Sequence, residues 1–240
     1  MKYIYGPVKS RRLGLSLGLS LTPYKVCNLD CVYCQLGPTK EQSTQRTEYV
    51  KIEDVLGEFK SWLQQNPQTA AELDFLTLSG LGEPTLNINI GYLIGQLRKL
   101  SNAHIAVITN STLLKDAQVR LEISSADLIV PSLDAIRQDV FERIDRPAEG
   151  ITTEGIIEGL VALRREFRGK IWLEVMLIDG FNDTLPQIKE LKEIIERINP
   201  DKIQLNSPVR STAESNILPV EKKKLQKFKD ILGEKTQIIC

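Results

Sequence analysis

Cys27, Cys31 and Cys34 fall within eight residues, and no other stretch of the chain gathers reactive side chains so tightly. Thiolates are soft ligands, so three of them at Cys-x3-Cys-x2-Cys spacing suit zinc or an iron–sulfur cluster. A structural zinc site is closed by four ligands. The chain has one histidine, His104, and its fourth cysteine is the last residue, Cys240, so three thiols read as the whole set. A metal centre with three protein ligands keeps a position open, and that is where a substrate or cofactor is expected to bind. A small zinc knuckle is the plain alternative. Four cysteines, three of them clustered, are not the spread of a secreted disulfide framework.

Other segments place polar groups where chemistry could use them. In Ser79-Gly80-Leu81-Gly82-Glu83-Pro84-Thr85 the glycines Gly80 and Gly82 permit close backbone approach, and Glu83 offers a carboxylate to a cationic group. An ordinary turn before a helix reads the same way. Asn110, Ser132 and Asp134 are short polar side chains suited to a ribose or a carboxylate, and equally suited to capping helices. Glu174 interrupts an apolar run shared with Met176; burying an acid alone is costly, so it either faces an internal cavity or is paired. Asn182 and Asp183 read as caps of a helix beginning near Leu185. In Asn206-Ser207-Pro208-Val209-Arg210, Arg210 could clamp a carboxylate or phosphate at two points, although a solvated surface arginine is commoner. The basic segment Lys9-Ser10-Arg11-Arg12 reads as a solubilising patch or a phosphate site.

These residues need elements to position them. Short β-branched runs at 15–21, 75–78, 105–109, 128–131, 171–178 and 202–205 alternate with amphipathic stretches at 52–65, 88–100, 113–124, 152–167, 185–198 and 220–232. Six β/α units result, and the near-continuous apolar strands predict a parallel sheet covered by helices. Either an open doubly wound sheet or a partial barrel would hold ligands beyond the carboxyl ends of its strands. The cysteines follow the first strand and so lie at that edge. The polar run at 39–47 is expected to be a surface connection or a lid. With 240 residues and 42% hydrophobic content, a single domain over residues 1–240 is expected. Lys and Arg balance Asp and Glu at 31 each, so charge alone announces neither nucleic acid nor membrane. No apolar run approaches the ~20 residues of a membrane span, and the first residues lack a signal peptide's apolar stretch, so a cytoplasmic location is expected.

The cysteine spacing, with the aromatic Tyr33 just before Cys34, resembles the signature of the radical S-adenosylmethionine (SAM) superfamily. The resemblance implies a partial (β/α)6 TIM-type barrel, α/β with a parallel sheet. It implies a [4Fe–4S] cluster on Cys27, Cys31 and Cys34 whose open iron chelates SAM. Reductive cleavage then yields a 5′-deoxyadenosyl radical that takes hydrogen from a substrate. By the same resemblance Gly80, Gly82 and Glu83 receive the methionine amino group, and Tyr33, Asn110, Ser132 and Asp134 contact the cofactor. Glu174, Asn206 and Arg210 remain for the substrate, across the barrel from the cysteine loop. An electron donor such as flavodoxin or ferredoxin is implied, with a small molecule or peptide as substrate.

The segments 6–14, 79–86 and 206–210 look like the wyosine-synthetase-like branch, which builds a tricyclic guanosine in transfer RNA. Those synthetases carry a second cluster on additional cysteines, and here only Cys240 remains. The expectation is a single-cluster radical enzyme of unassigned substrate. A tRNA-modifying enzyme, an activase that makes a glycyl radical on a partner, and a noncatalytic metal-binding module stay open beside it.

Overall fold

A computed structural model describes residues 1–240. Strands β1 (Ile4–Ser10), β2 (Gly14–Leu19), β3 (Val26–Cys27), β4 (Glu41–Gln42), β5 (Phe75–Leu78), β6 (His104–Thr109), β7 (Leu128–Pro131), β8 (Lys170–Met176), β9 (Lys202–Asn206) and β10 (Thr236–Ile238) alternate with helices. The helices are α1 (Ile52–Gln65), α2 (Pro67–Ala71), α3 (Ile90–Leu100), α4 (Ala117–Ile123), α5 (Gln138–Ile144), α6 (Thr153–Glu166), α7 (Leu185–Ile198) and α8 (Lys222–Leu232). Eight strands form one sheet in the order β1-β2-β5-β6-β7-β8-β9-β10. Only the β1–β2 pair is antiparallel. The two outer strands do not pair with each other, so the barrel stays open. No helix is long and apolar enough to cross a membrane.

Side chains alternate between two environments along the strands, as the pleat requires. Ile105 and Val107 of β6, Ile129 of β7, and Ile171, Leu173 and Val175 of β8 join the main core beneath the helices. Ala106, Leu128 and Val130 form a second cluster, against which Ile108 and Trp172 also pack. That second cluster is filled by Leu13, 4% exposed, from the turn between β1 and β2. Arg12 beside it reaches in to pair with Glu174 and bonds Gln204 at 3.4 Å. The basic amino-terminal segment is thus partly a plug.

All six expected strands and helices are present, several with shorter bounds. The helix expected over 113–124 begins only at Ala117, because Asp116 accepts a bond from Gln118 N and caps it there. Asn182 and Asp183 do not cap α7. Thr184 does, in a reciprocal capping box with Gln187. Asn182 is buried, bonding the carbonyls of Asp134 and Met176 at 2.7 Å each, and Asp183 pairs with Lys224. The sequence pattern also missed β1, β10 and α5. Pro7 and a register shift between Tyr5 and Val8 interrupt the alternation of β1, which is tolerated on an edge strand.

Leu13→Ala removes the buried side chain that fills the concave face, and should cost about 2–5 kcal/mol. A urea denaturation curve whose midpoint matches the wild type would contradict the plug.

Candidate functional site

The cysteine loop has almost no regular structure of its own and borrows its shape from the strand ends around it. β3 pairs in parallel with β4 on one side, so part of the polar run expected as a surface connection or a lid is in fact strand. On another side, Glu83 N donates to Val26 O at 3.2 Å. Gly82 lies so close that a Cβ there would come 1.8 Å from the same carbonyl. Beyond β6, Asn28 is fully buried, donating to Thr112 Oγ1 and accepting from Asn110 Nδ2, each at 2.6 Å. At the end of α5, Asp30 N donates to Asp145 O and Val32 N to Ile144 O, both at 2.9 Å.

The loop brings Cys27 near enough to Cys34 to feel its charge, and Cys31 near enough to feel that of Cys27. Burial pushes the Cys27 thiol up to about 12, with the Glu83 carboxylate adding to the shift and Cys34 a smaller contributor. Cys31 is pushed well above the ordinary thiol range, first by burial and then by Asp145. Asn110 Nδ2 donates to Cys27 Sγ at 3.6 Å. Buried thiols of this kind ionise when a positive centre offsets the lost hydration, which a metal or cluster supplies. Three free thiols at one edge therefore suit metal ligation. No three His, Cys, Asp or Glu side chains are closed around a single-ion position.

Glu83 does not project into the open. It is 2% exposed, and its carboxylate accepts from Thr85 N at 3.1 Å, Thr85 Oγ1 at 2.6 Å, Thr109 Oγ1 at 2.8 Å and Asn110 N at 2.8 Å. Burial raises its carboxyl against the pull of those bonds. Three of these donors converge on Oε1 and one on Oε2, so Glu83 ties together the ends of β5 and β6 and keeps an acceptor position on Oε2. The carbonyls of Gly80, Leu81 and Gly82 accept no bond from the chain's backbone and are the open acceptors of this segment.

Tyr33, Asn110, Ser132 and Asp134 line one pocket with Asp145. The Tyr33 hydroxyl donates to Asp134 Oδ2 and lies 3.5 Å from Asp145 Oδ1. Asp134 Oδ1 accepts from Met176 N at 2.7 Å, so neither Asp134 nor Asn110 is a helix cap. Burial lifts the Asp134 carboxyl to about 7 against the bonds from Tyr33 and Met176 N. Asp145 is lifted well above the carboxylate range by burial and by Asp134, and its Oδ2 is buried without a partner. Sequence reasoning missed Asp145. It caps the carboxyl end of α5, a seven-residue helix whose periodicity is too short to stand out in the sequence.

Glu174 lies on the concave face opposite Gln204, paired with Arg12 and accepting from Asn206 Nδ2 at 3.0 Å. Arg210 is not across the barrel from the cysteines. The segment after β9 folds back over their loop, with Glu214 N donating to Val32 O at 3.1 Å, and this carries Arg210 to Gln35 Oε1 at 3.1 Å. Cys240 follows β10, where Ile239 N bonds Leu205 O at the same edge.

The three-thiol loop at the carboxyl edge of an open parallel barrel defines a class. A model of the radical SAM superfamily matches residues 21–198, and this chain belongs to that superfamily, as an enzyme whose family implies SAM and an iron–sulfur cluster. Within it the chain groups with the UPF0026 proteins. It is 36% identical to one from Methanocaldococcus jannaschii over 239 residues, 98% of this chain and 73% of that protein. It is 38% identical to one from Synechocystis over 211 residues, 86% of this chain and 76% of that protein. A Brachyspira hyodysenteriae protein named GTPase Obg is 35% identical over 228 residues, 95% of this chain and a third (33%) of that protein. This chain has no Gly-Lys-Ser or Gly-Lys-Thr run of a phosphate loop.

Solved structures share the fold. TYW1 with a lysine–pyruvate adduct is similar at TM-score 0.65 and 22% identity, over 90% of this chain and 72% of that one. Streptococcus suis SuiB bound to the precursor peptide SuiA is similar at TM-score 0.67 and 15% identity, over 92% and 48%.

Gly82→Ala should force the Val26 carbonyl away and loosen the cysteine loop, read as a lower melting temperature and faster reaction of Cys27 with a thiol reagent. Unchanged labelling would show that the segment does not brace the loop.

Asp134 has a raised folded pKa, so it contributes stability that is fully present below its unfolded value of about 4 and is lost as pH rises to about 7. Thermal melts should show wild type losing ground to Asp134→Asn between pH 5 and pH 8. A constant difference across that range would remove the assignment.

Proposed function

We propose that the chain holds one [4Fe–4S] cluster on Cys27, Cys31 and Cys34 and uses it with SAM to abstract hydrogen from a substrate. The observation that carries this reading is the three-thiol loop braced by Gly82, Asn28 and the end of α5 at the carboxyl edge. When bound, the cluster and SAM supply a one-electron cleavage of the sulfur–C5′ bond and the carbon radical that results. The chain's own residues bind and orient. The open carbonyls of Gly80, Leu81 and Gly82 offer acceptors to the methionine ammonium, while Glu83 fixes the backbone that presents them. Asn110 donates to the Cys27 sulfur, a kind of contact that tunes cluster potential. Tyr33, Asp134 and Ser132 form the wall against which the adenosyl group would lie.

Glu174, Asn206 and Arg210 are the substrate-side residues of this reading. Arg12 and Asn206 already hold Glu174, so it shapes the cavity floor and presents little free charge. The electron would come from a flavodoxin- or ferredoxin-like donor in the cytoplasm, and the whole of residues 1–240 acts as one catalytic unit. With one cysteine outside the loop, a second cluster on this chain has too few ligands.

Anaerobic reconstitution should give about four irons and four sulfides per chain, with the cluster lost in Cys27→Ala, Cys31→Ala or Cys34→Ala and kept in Cys240→Ala. Under reductant, that protein should convert SAM to methionine and 5′-deoxyadenosine. Stoichiometric zinc without iron in anaerobically purified protein, or a sound cluster that never cleaves SAM, would defeat the reading.

A further inference from the structure

Arg11 and Arg210, 199 positions apart in sequence, line a single pocket at the carboxyl edge with Tyr33, Gln35, Met176 and Asn206. The other charged groups here are matched. Glu174 pairs with Arg12, and Arg146 pairs with Glu214 and lies 3.9 Å from Asp30. Arg210 is exposed and bonds only the neutral amide of Gln35. Arg11 is exposed and has neither a hydrogen bond nor an ion pair from its side chain.

Two arginines that line one pocket carry like charges, which repel more strongly beside a protein wall than in open water. The fold holds them there nonetheless. Arg11 is anchored by the turn whose next residues, Arg12 and Leu13, are fixed in the concave face. Arg210 is anchored by the segment that folds back onto the cysteine loop.

Charge at this edge is therefore divided. Tyr33 borders both pockets: on one flank lie Asp134 and Asp145, on the other Arg11 and Arg210. The acidic flank suits a ligand bearing cationic groups, as SAM does. The basic flank has nothing in the chain to answer it, and the guanidinium fork matches carboxylate and phosphate alike.

Resting on the function proposed above, we propose that Arg11 and Arg210 together clamp an oxyanionic group of the substrate, a phosphate or a carboxylate, and hold it beside Tyr33. The substrate is thereby an anion at the end that enters this pocket. Arg12, one residue along, is excluded from the role because Glu174 occupies it.

The test is titration calorimetry of the reconstituted full chain with inorganic pyrophosphate and, separately, with succinate, at low ionic strength. At least one should bind, and the tighter of the two identifies the source of the anion. Arg11→Gln and Arg210→Gln should each weaken it at least about tenfold, the scale of one charge-assisted hydrogen bond. Lys99→Gln, an exposed cation at the opposite edge of the sheet, should leave it unchanged. Binding of neither anion, indifference to both arginine substitutions, or an equal loss with Lys99→Gln overturns the proposal. SAM cleavage by the wild-type sample is measured in parallel. A protein that binds anion through both arginines yet never cleaves SAM defeats the proposed reaction and leaves the anion site standing. One that cleaves SAM but is blind to both anions defeats the anion site alone.

Discussion

The contact between Gly82 and the Val26 carbonyl fixes where the cysteine loop begins, and the rest of the site is arranged around it. A backbone that close leaves no volume for any side chain, so the end of β5 and the entry to the loop behave as one rigid piece. Glu83 extends that piece to β6 by taking bonds from Thr109 and Asn110. Asn110 then reaches Asn28 and the Cys27 sulfur. The thiols are thus placed by neighbouring strand ends, since a two-residue strand cannot place them alone.

Electrostatics divides the same edge into halves. Burial keeps Asp134 and Asp145 from ionising freely, with Glu174 adding to the rise of Asp134 and Asp134 to that of Asp145. A cationic ligand entering there would favour their charged forms and regain part of what burial cost. On the far side of Tyr33 the arginines lie in a more open setting. Arg12 neutralises Glu174 between the two halves, which keeps the acidic character from spreading across the concave face.

Much of this was legible in the residue order. Apolar runs such as Ala106-Val107-Ile108 announced strands covered on both faces, and the cysteine spacing with Tyr33 announced the superfamily. What stayed hidden depends on contacts between distant segments. A carboxylate such as Glu83 reads as a free partner until its four donors, from Thr85, Thr109 and Asn110, are seen around it. Arg210 reads as lying opposite the cysteines because nothing local says that its segment turns back over them. The short edge strand β10 and the seven-residue α5 carry too little periodicity to stand out, and with α5 unseen, Asp145 had no context.

The plug of the concave face also bears on how the chain assembles during synthesis. Arg12 bonds Glu174 and Gln204, which lie 162 and 192 residues later in the sequence. At roughly 5–20 residues per second on the ribosome, about 8–30 seconds pass after Arg12 is made before Glu174 exists. Through that interval the turn that carries Leu13 has only part of its final surroundings, since β7 is missing until residue 131 is made and β8 is incomplete to the end. The inner cavity is therefore a late product of translation, closed by contacts of high sequence separation whose loop entropy is overcome only when the last strands arrive.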